Sequence, residues 1–433
     1  MLIYECKLKG KPAQYDALDG AIRTGLFVRN SCIRYWMDNE GIGKYDLSSY
    51  CKVLADNPEF PWAKQLNSMA RQAHAERAWS AISRFYALHA GYANDNCKKR
   101  TAASEGTSDW RRSKKGKPGS KGFPRFKKNQ RRASVEYKTS GWKLSDDRKY
   151  ITFTDGFKAG RFKLFGSRDL GYYNPKKDIK RVRVVRRADG YYVQFSIKCD
   201  RRQDVEPTGR AIGLDVGLKE FYTDSNGETV SNRRNYRKSE KRLKRLQRQA
   251  SRKQKGSNNR RKACMRVGRQ HLKIQRQRKD HAVKLARCVI RSNDLVAYED
   301  LAIRNLVKNR KLAKSISDAG WYQFRVWLEY FATVFGKVTV AVSPAYTSQD
   351  CSECGNRVKK SLSTRTHICS CGCVLDRDEN AARNILMKGL RTVGHTGTLG
   401  LDPSKAWGDL DLCNVSATIL SKSGSTNQES SSP

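Results

Sequence analysis

Between Tyr346 and Ile385 the chain sets two kinds of reactive side chain almost side by side. Cys351-x-x-Cys354 and Cys369-x-Cys371 come first, and Asp376-Arg-Asp-Glu-Asn-Ala-Ala-Arg-Asn-Ile385 follows at once. Two cysteine pairs separated by fourteen residues suit a tetrahedral Zn²⁺ site, because each pair can sit on a tight turn and four thiolates fill the coordination sphere. A site so filled is closed, and hence structural. The second pair departs from the usual two-residue spacing and Cys373 supplies a fifth thiol, so Cys371 and Cys373 both qualify as fourth ligand. Gly372 after Cys371 mirrors the Cys354-Gly355 turn and favours Cys371. His367, a lone histidine, reads as a surface residue of the ribbon and not as a ligand.

Carboxylates recur upstream at the ends of apolar runs. Ala211-Ile-Gly-Leu-Asp215-Val-Gly217 is a strand that delivers an Asp and then turns at Gly, which is how an RNase H-like fold opens its active site. Leu295-Val-Ala-Tyr-Glu299-Asp-Leu301 is a second strand ending in a carboxylate, with Glu299 the candidate. Asp376 and Asp378 offer further carboxylates directly after the cysteines.

These residues need a scaffold, and the rest of the chain supplies its signals. Leu2 to Leu8 alternates as one strand; Tyr15, Leu18, Ile22, Leu26, Ile33 and Trp36 then recur at helical spacing. A second helix is expected from Trp62 to about Tyr92, its aromatic residues serving as core and its polar Ser68, Arg71, Gln72 and Arg77 facing solvent or a duplex. Strand signals follow at Ser134 to Tyr137, Tyr150 to Phe153, Arg161 to Phe165, Ile179 to Val185 and Tyr191 to Ile197, the last two joined by the Asp189-Gly190 turn. They imply a β-barrel-like domain that the N-terminal strand could join, the helices then being an insertion. Phe221 to Thr223, Glu228 to Val230 and Lys337 to Val342 continue the strands around the acids, and Trp321 to Phe335 is helical.

Two stretches are conspicuously basic. Lys98 to Arg132 is rich in Gly and Pro and reads as a phosphate-contacting linker; Arg233 to Lys279 is a helical hairpin broken near Lys255, with Glu240 its only acid. Across the chain 87 Lys and Arg stand against 42 Asp and Glu, a net charge of +45 that points to a polyanion, nucleic acid before membrane. Thirteen cysteines without regular spacing outside the ribbon fit a reducing compartment. With neither a signal-peptide core at the N-terminus nor an apolar run of membrane-spanning length, a soluble intracellular protein is expected. Beyond Leu390 the Gly-, Ser- and Thr-rich tail is expected to be disordered.

Gly213-Leu-Asp-Val-Gly217, Tyr298-Glu-Asp-Leu301, Tyr346-Thr-Ser-Gln-Asp-Cys-Ser-Glu-Cys-Gly355 and the Asp376 to Ile385 element together resemble the TnpB family of transposon-encoded proteins, relatives of the type V CRISPR effectors. Gly122-Phe-Pro-Arg-Phe126 is similar as well. The resemblance implies an α+β multidomain RNA-guided DNA endonuclease in the prokaryotic cytoplasm, associated with the nucleoid. Its layout would be a wedge β-barrel (1–10 and 130–204) interrupted by a helical recognition domain with a basic linker (11–129). A RuvC nuclease domain (205–342 and 374–392), a zinc ribbon (343–373) and the tail (393–433) would follow.

Carried over residue by residue, the resemblance implies Asp215, Glu299 and Asp378 as the RuvC acids, with Asp376 the runner-up for the third place. Three carboxylates converging on a DNA phosphate repel one another and the substrate, so they call for divalent cations, and hard oxygen ligands favour Mg²⁺ or Mn²⁺. The partners implied are a guide RNA, which reads sequence by pairing, and double-stranded target DNA bearing a short flanking motif that the protein reads. A nuclease-inactive RNA-guided repressor and a DNA transposase are the competing classes; the intact acids count against the first and the ribbon just before Asp378 against the second.

Overall fold

The computed structural model describes residues 2–97, 122–127, 133–166, 170–174, 177–361 and 364–393. Most of the basic stretch from Lys98 to Arg132, and the tail beyond residue 393, lie outside them. The chain is a mixed α+β fold that divides after Asp200 into two compact units.

In the first unit β1 (Leu2–Lys9) leads to α1 (Pro12–Asp38), α2 (Lys44–Asp56) and α3 (Ser68–Cys97). After these come β2 (Ser134–Tyr137), β3 (Trp142–Leu144), β4 (Tyr150–Phe153), β5 (Gly160–Phe165), β6 (Ile179–Arg187) and β7 (Gly190–Ile197). The strands form one seven-stranded antiparallel sheet in the order β2-β6-β7-β1-β5-β4-β3. β1 lies inside it between β7 and β5, as its alternation requires: Leu2, Tyr4, Cys6 and Leu8 are buried while the residues between them are not. Tyr137, Phe153, Phe162 and Phe195 fill the core under this sheet.

The three helices enclose a second core around Trp36, Leu47, Ile82 and Phe85, which Phe123 joins. Helix α2 was not expected from the sequence, although Leu47, Cys51, Leu54 and Ala55 bury one face of it. Nor does the next helix begin at Trp62. Pro61–Ala63 forms a 3₁₀ turn, and Asn67 Oδ1 then accepts from the Met69 and Ala70 amides, so that α3 starts only at Ser68. Arg71 is committed inside the fold: its Nη1 donates to the carbonyls of Ala63, Lys64 and Leu66.

The second unit opens with β8 (Ala211–Asp215), β9 (Glu220–Asp224) and β10 (Thr229–Ser231). The basic helices α4 (Asn235–Ser251) and α5 (Asn258–Ser292) come next, then β11 (Leu295–Glu299), α6 (Ile303–Leu306), α7 (Ala313–Ala319), α8 (Trp321–Phe335) and β12 (Val338–Val342). It ends in the small hairpin β13 (Thr366–Ile368) and β14 (Val374–Asp376) and in α9 (Arg377–Thr392). The main sheet has the order β10-β9-β8-β11-β12, in which β8, β11 and β12 run parallel.

Strand alternation gives this sheet two apolar faces. Ile212, Leu214, Val296 and Tyr298 pack against α5 and α8; Leu295, Ala297, Val340 and Val342 pack against α9. By the same two-residue period Gly213 and Asp215 on β8, and Glu299 on β11, belong to the α9 face. No helix among the described residues is long and apolar enough to cross a membrane.

Candidate active site and metal centre

Asp215 and Glu299 are the last residues of β8 and β11, neighbouring parallel strands in which Leu214 stands opposite Tyr298. The carboxyl ends of parallel strands are where open α/β sheets place ligands. Helix α9 brings the third acid to the same edge, and two glycines permit its close approach. A Cβ on Gly213 would lie 2.2 Å from the Ala382 carbonyl oxygen, and one on Gly389 would lie 2.6 Å from Ala297 Cβ.

At the start of α9 the two sequence candidates part. The Asp376 side chain caps the helix, accepting from the Asp378 amide at 2.8 Å. The Asp378 carboxylate has no such duty; among the described residues Arg365 Nη1 and Arg377 Nε approach it, each at 3.5 Å.

Electrostatics ties the acids together. Burial, then the charges of Glu299 and Asp378, push the Asp215 carboxyl well above the usual range; Arg377 opposes this, and Asp376 adds less than Asp378. Burial also raises Glu299, against the hydroxyl of Thr347 and the charge of Lys388. The oxygens of the three acids do not gather within 4.8 Å of one another as the cysteine sulfurs do, yet Asp215 feels both neighbouring charges across a partly dry site; carboxyls so placed are costly to ionise unaided, and hard oxygen donors of this kind suit divalent cations.

The cysteines converge as well. The Sγ atoms of Cys351, Cys354, Cys369 and Cys371 all lie within 4.8 Å of one another, with Cys351 3.7 Å from Cys371 and Cys354 3.5 Å from Cys369. Four thiolates around one zinc at about 2.3 Å would stand about 3.8 Å apart, which these spacings match. Gly355 and Gly372 occupy the left-handed region (φ +78° and +89°) and close the two turns, their amides donating to Cys351 O and Cys369 O. The backbone N–H of Cys371 and the neighbouring thiols pull Cys369 down to about 6, while the crowding of thiols pushes Cys354 and Cys371 up, so the four would all ionise only around a cation.

Cys373 is buried beside Cys351 and His367, a second grouping within the same distance. His367 is not the surface residue expected. It is 0% exposed, its Nδ1 contacts Lys360 Nζ, and its Nε2 has no hydrogen-bond partner among the described residues. Its burial follows from pairing with Leu375 across the β13–β14 hairpin, whose strands are too short to be read from sequence.

The spacing makes a firm prediction for the ribbon. Purified protein should hold one zinc per chain; Cys351→Ser and Cys371→Ser should lose it, and Cys373→Ser should keep it. Elemental analysis decides, and zinc retained by Cys371→Ser but lost by Cys373→Ser would transfer the fourth position to Cys373.

Four further residues gather here that sequence reasoning passed over. Thr347 Oγ1 donates to Glu299 Oε1 at 2.6 Å, and Asn380, Asn384 and Lys388 of α9 bond the backbone of the segment leading into the ribbon. Their signal was Thr347 beside Tyr346 and two asparagines four apart in an otherwise apolar and charged helix.

The basic helices carry few acids of their own. Glu240 is bound to Lys314 at 2.7 Å and Lys244 at 3.1 Å, and Asp318 of α7 caps α4 by accepting from the Tyr236 and Arg237 amides. The exposed lysines and arginines of α4 and α5 thus form a surface suited to phosphates.

Comparison with known proteins gives consistent results. The profile of a family described as "Probable transposase" matches residues 194–310, and that of a "Cas12f1-like, TNB domain" matches 321–385. A protein of Streptomyces pristinaespiralis named "Putative RNA-guided DNA endonuclease" is 39% identical over 274 residues, 62% of this chain and 66% of that protein. Escherichia coli (strain K12) has "Putative RNA-guided DNA endonuclease InsQ", 32% identical over 284 residues, 62% of this chain and 68% of that one. "TnpB-like protein L770" of Acanthamoeba polyphaga mimivirus is 25% identical over 277 residues, 58% of this chain and 51% of its own. The chain thus spans about two thirds of the length of the first two relatives and about half of the third.

Proposed function

The chain belongs to the TnpB family, and on that premise we propose that it is an RNA-guided DNA endonuclease that hydrolyses target phosphodiesters beside a short flanking motif. The observation that carries the reading is the arrangement of Asp215, Glu299 and Asp378 on one face of one sheet edge, two on adjacent parallel strands and the third in the first turn of the helix packed there. In this reading the five-stranded sheet with α9 is a RuvC-type nuclease domain and residues 343–373 a zinc ribbon. The seven-stranded sheet is the wedge, interrupted by a helical recognition domain, and the protein works in the prokaryotic cytoplasm.

The three carboxylates would hold Mg²⁺ or Mn²⁺, which when bound activates water and stabilises the leaving 3′ oxygen. Water oxygen forms the new bond to phosphorus, the P–O3′ bond breaks, and the products are a 5′-phosphate and a 3′-hydroxyl. No serine or cysteine of the chain serves as nucleophile. Asp378, free of capping, is the third ligand, and Asp376 holds the helix end that presents it. The cations of α4 and α5 neutralise guide RNA and DNA phosphates, contributing affinity without reading bases.

Proton linkage follows from the raised carboxyls. In the metal-free protein Asp215 and Glu299 keep protons that the unfolded chain has released, so its stability declines as pH rises from the ordinary carboxylate range through the raised values. Cation binding displaces those protons. The Mg²⁺ concentration for half-maximal cutting is therefore expected to climb as pH falls from neutral to mildly acidic, and a requirement independent of pH there would contradict the assignment.

The direct test supplies protein and guide RNA with a plasmid target and Mg²⁺. Cutting at the guide-matched site is expected, whereas strand transfer of transposon ends without RNA would establish a transposase instead.

A further inference from the structure

We propose that Thr347, Asn380 and Asn384 form a clamp that fixes the cysteine ribbon to the acid site and holds the Glu299 carboxylate in its working orientation; the inference rests on the nuclease reading above. Thr347 is 4% exposed, so water has little access to replace its 2.6 Å bond to Glu299 Oε1. The hydroxyl has one proton and a second acceptor within reach, Pro344 O at 3.2 Å, but the much shorter contact to Glu299 takes it. Asn384 Nδ2 secures the peptide of Thr347 by donating to Thr347 O at 2.9 Å, and to Asp350 O at 2.6 Å.

One turn earlier in α9, Asn380 is 0% exposed; it donates to Asp350 O at 2.8 Å and accepts from the Ser352 amide at 3.0 Å. Asp350 and Ser352 flank Cys351, the first ribbon cysteine. The helix whose first turn carries Asp378 therefore grips the backbone on both sides of a thiol, and through Thr347 the same segment reaches Glu299. Lys388 Nζ adds a bond to Ala345 O at 2.6 Å.

The side-chain types follow from the bonds. Asn380 uses both ends of its amide, Nδ2 donating and Oδ1 accepting, which neither a carboxylate nor an apolar side chain of that shape could do, and at Asn384 a carboxylate would face two carbonyl oxygens with no proton to offer. Residues of this kind touch no reacting atom. They act by orientation, and outer partners of metal-binding carboxylates typically govern affinity or activity by about 10–100-fold.

The test compares the native ribonucleoprotein with Thr347→Val, which removes the hydroxyl at constant shape, Thr347→Ser, which retains it, Asn384→Asp, and the Val/Asp double variant. Single-turnover cutting is measured beside Mn²⁺ uptake by electron paramagnetic resonance, zinc content and target binding. Thr347→Val should lower both cutting and Mn²⁺ affinity by about 10–100-fold with target binding unchanged. Thr347→Ser should restore both, and the double variant should cost little more than the worse single change, since members of one network are not additive.

A threonine needed for packing alone would give the opposite order, with Val active and Ser impaired, and that result overturns the clamp, as do additive losses. Native Mn²⁺ affinity and cutting in Thr347→Val also overturn it, and leave the nuclease reading intact. Native protein that neither cuts nor takes up Mn²⁺ overturns that reading and the clamp together.

Discussion

Replacing Asp215, Glu299 or Asp378 by alanine, one at a time, is expected to abolish target cutting while guide RNA and target binding stay near native. Each change removes a carboxylate donor from the sheet edge and leaves the basic surfaces of α4 and α5 untouched. Cation-assisted stabilisation of a transferring phosphoryl group is worth several kcal/mol, which corresponds to a loss of about 10³-fold or more in rate.

The change at Asp215 has a second expected signature. This carboxyl is held above its usual range by burial and by the neighbouring acids, so Asp215→Ala should not lower the melting temperature of the metal-free protein. Asp376→Ala should behave differently again, losing an N-cap worth about 0.5–2 kcal/mol while still cutting. Wild-type cutting by Asp378→Ala together with inactive Asp376→Ala would move the third role to Asp376.

The second large effect concerns RNA. The protein purified from its host is expected to carry a tightly held RNA, and removing it with ribonuclease should eliminate site-specific cutting. A net charge of +45 is too large to go unneutralised, and the basic helices offer no short recognition code of the kind that reads base edges. Affinity should fall steeply with salt, by about 0.9 log units per log unit of salt for each phosphate neutralised on duplex DNA and about 0.7 on single strands. A salt-independent affinity would mean that the contacts are not to phosphates.

Much of the candidate site was legible because its determinants are local. Asp215 and Glu299 end apolar runs of strand length, and the cysteine spacing announces its turns. Gly213 could be noted in its motif, but its purpose, admitting the Ala382 carbonyl, depends on a helix more than 160 residues away.

What stayed hidden depends on tertiary geometry. Asp376 and Asp378 stand two residues apart in one motif, and the difference in their contacts, the capping bond of Asp376 above all, shows only in three dimensions. Thr347, Asn380 and Asn384 bond to groups distant along the chain, so the four-residue spacing of the two asparagines shows that they share a helix face but not what that face holds. Short strands such as β3, β13 and β14 are set by their partners more than by their composition, which is also why His367 was expected at the surface.

The most direct test of the account is to strip the purified protein of RNA, add back RNAs that differ only in their guide segment, and map the cuts in plasmid DNA carrying a library of flanking sequences. The account predicts that the cut follows the guide, always beside one flanking motif, and disappears in Asp378→Ala. Cutting at a fixed site whatever the guide, or by the RNA-free protein, would contradict it.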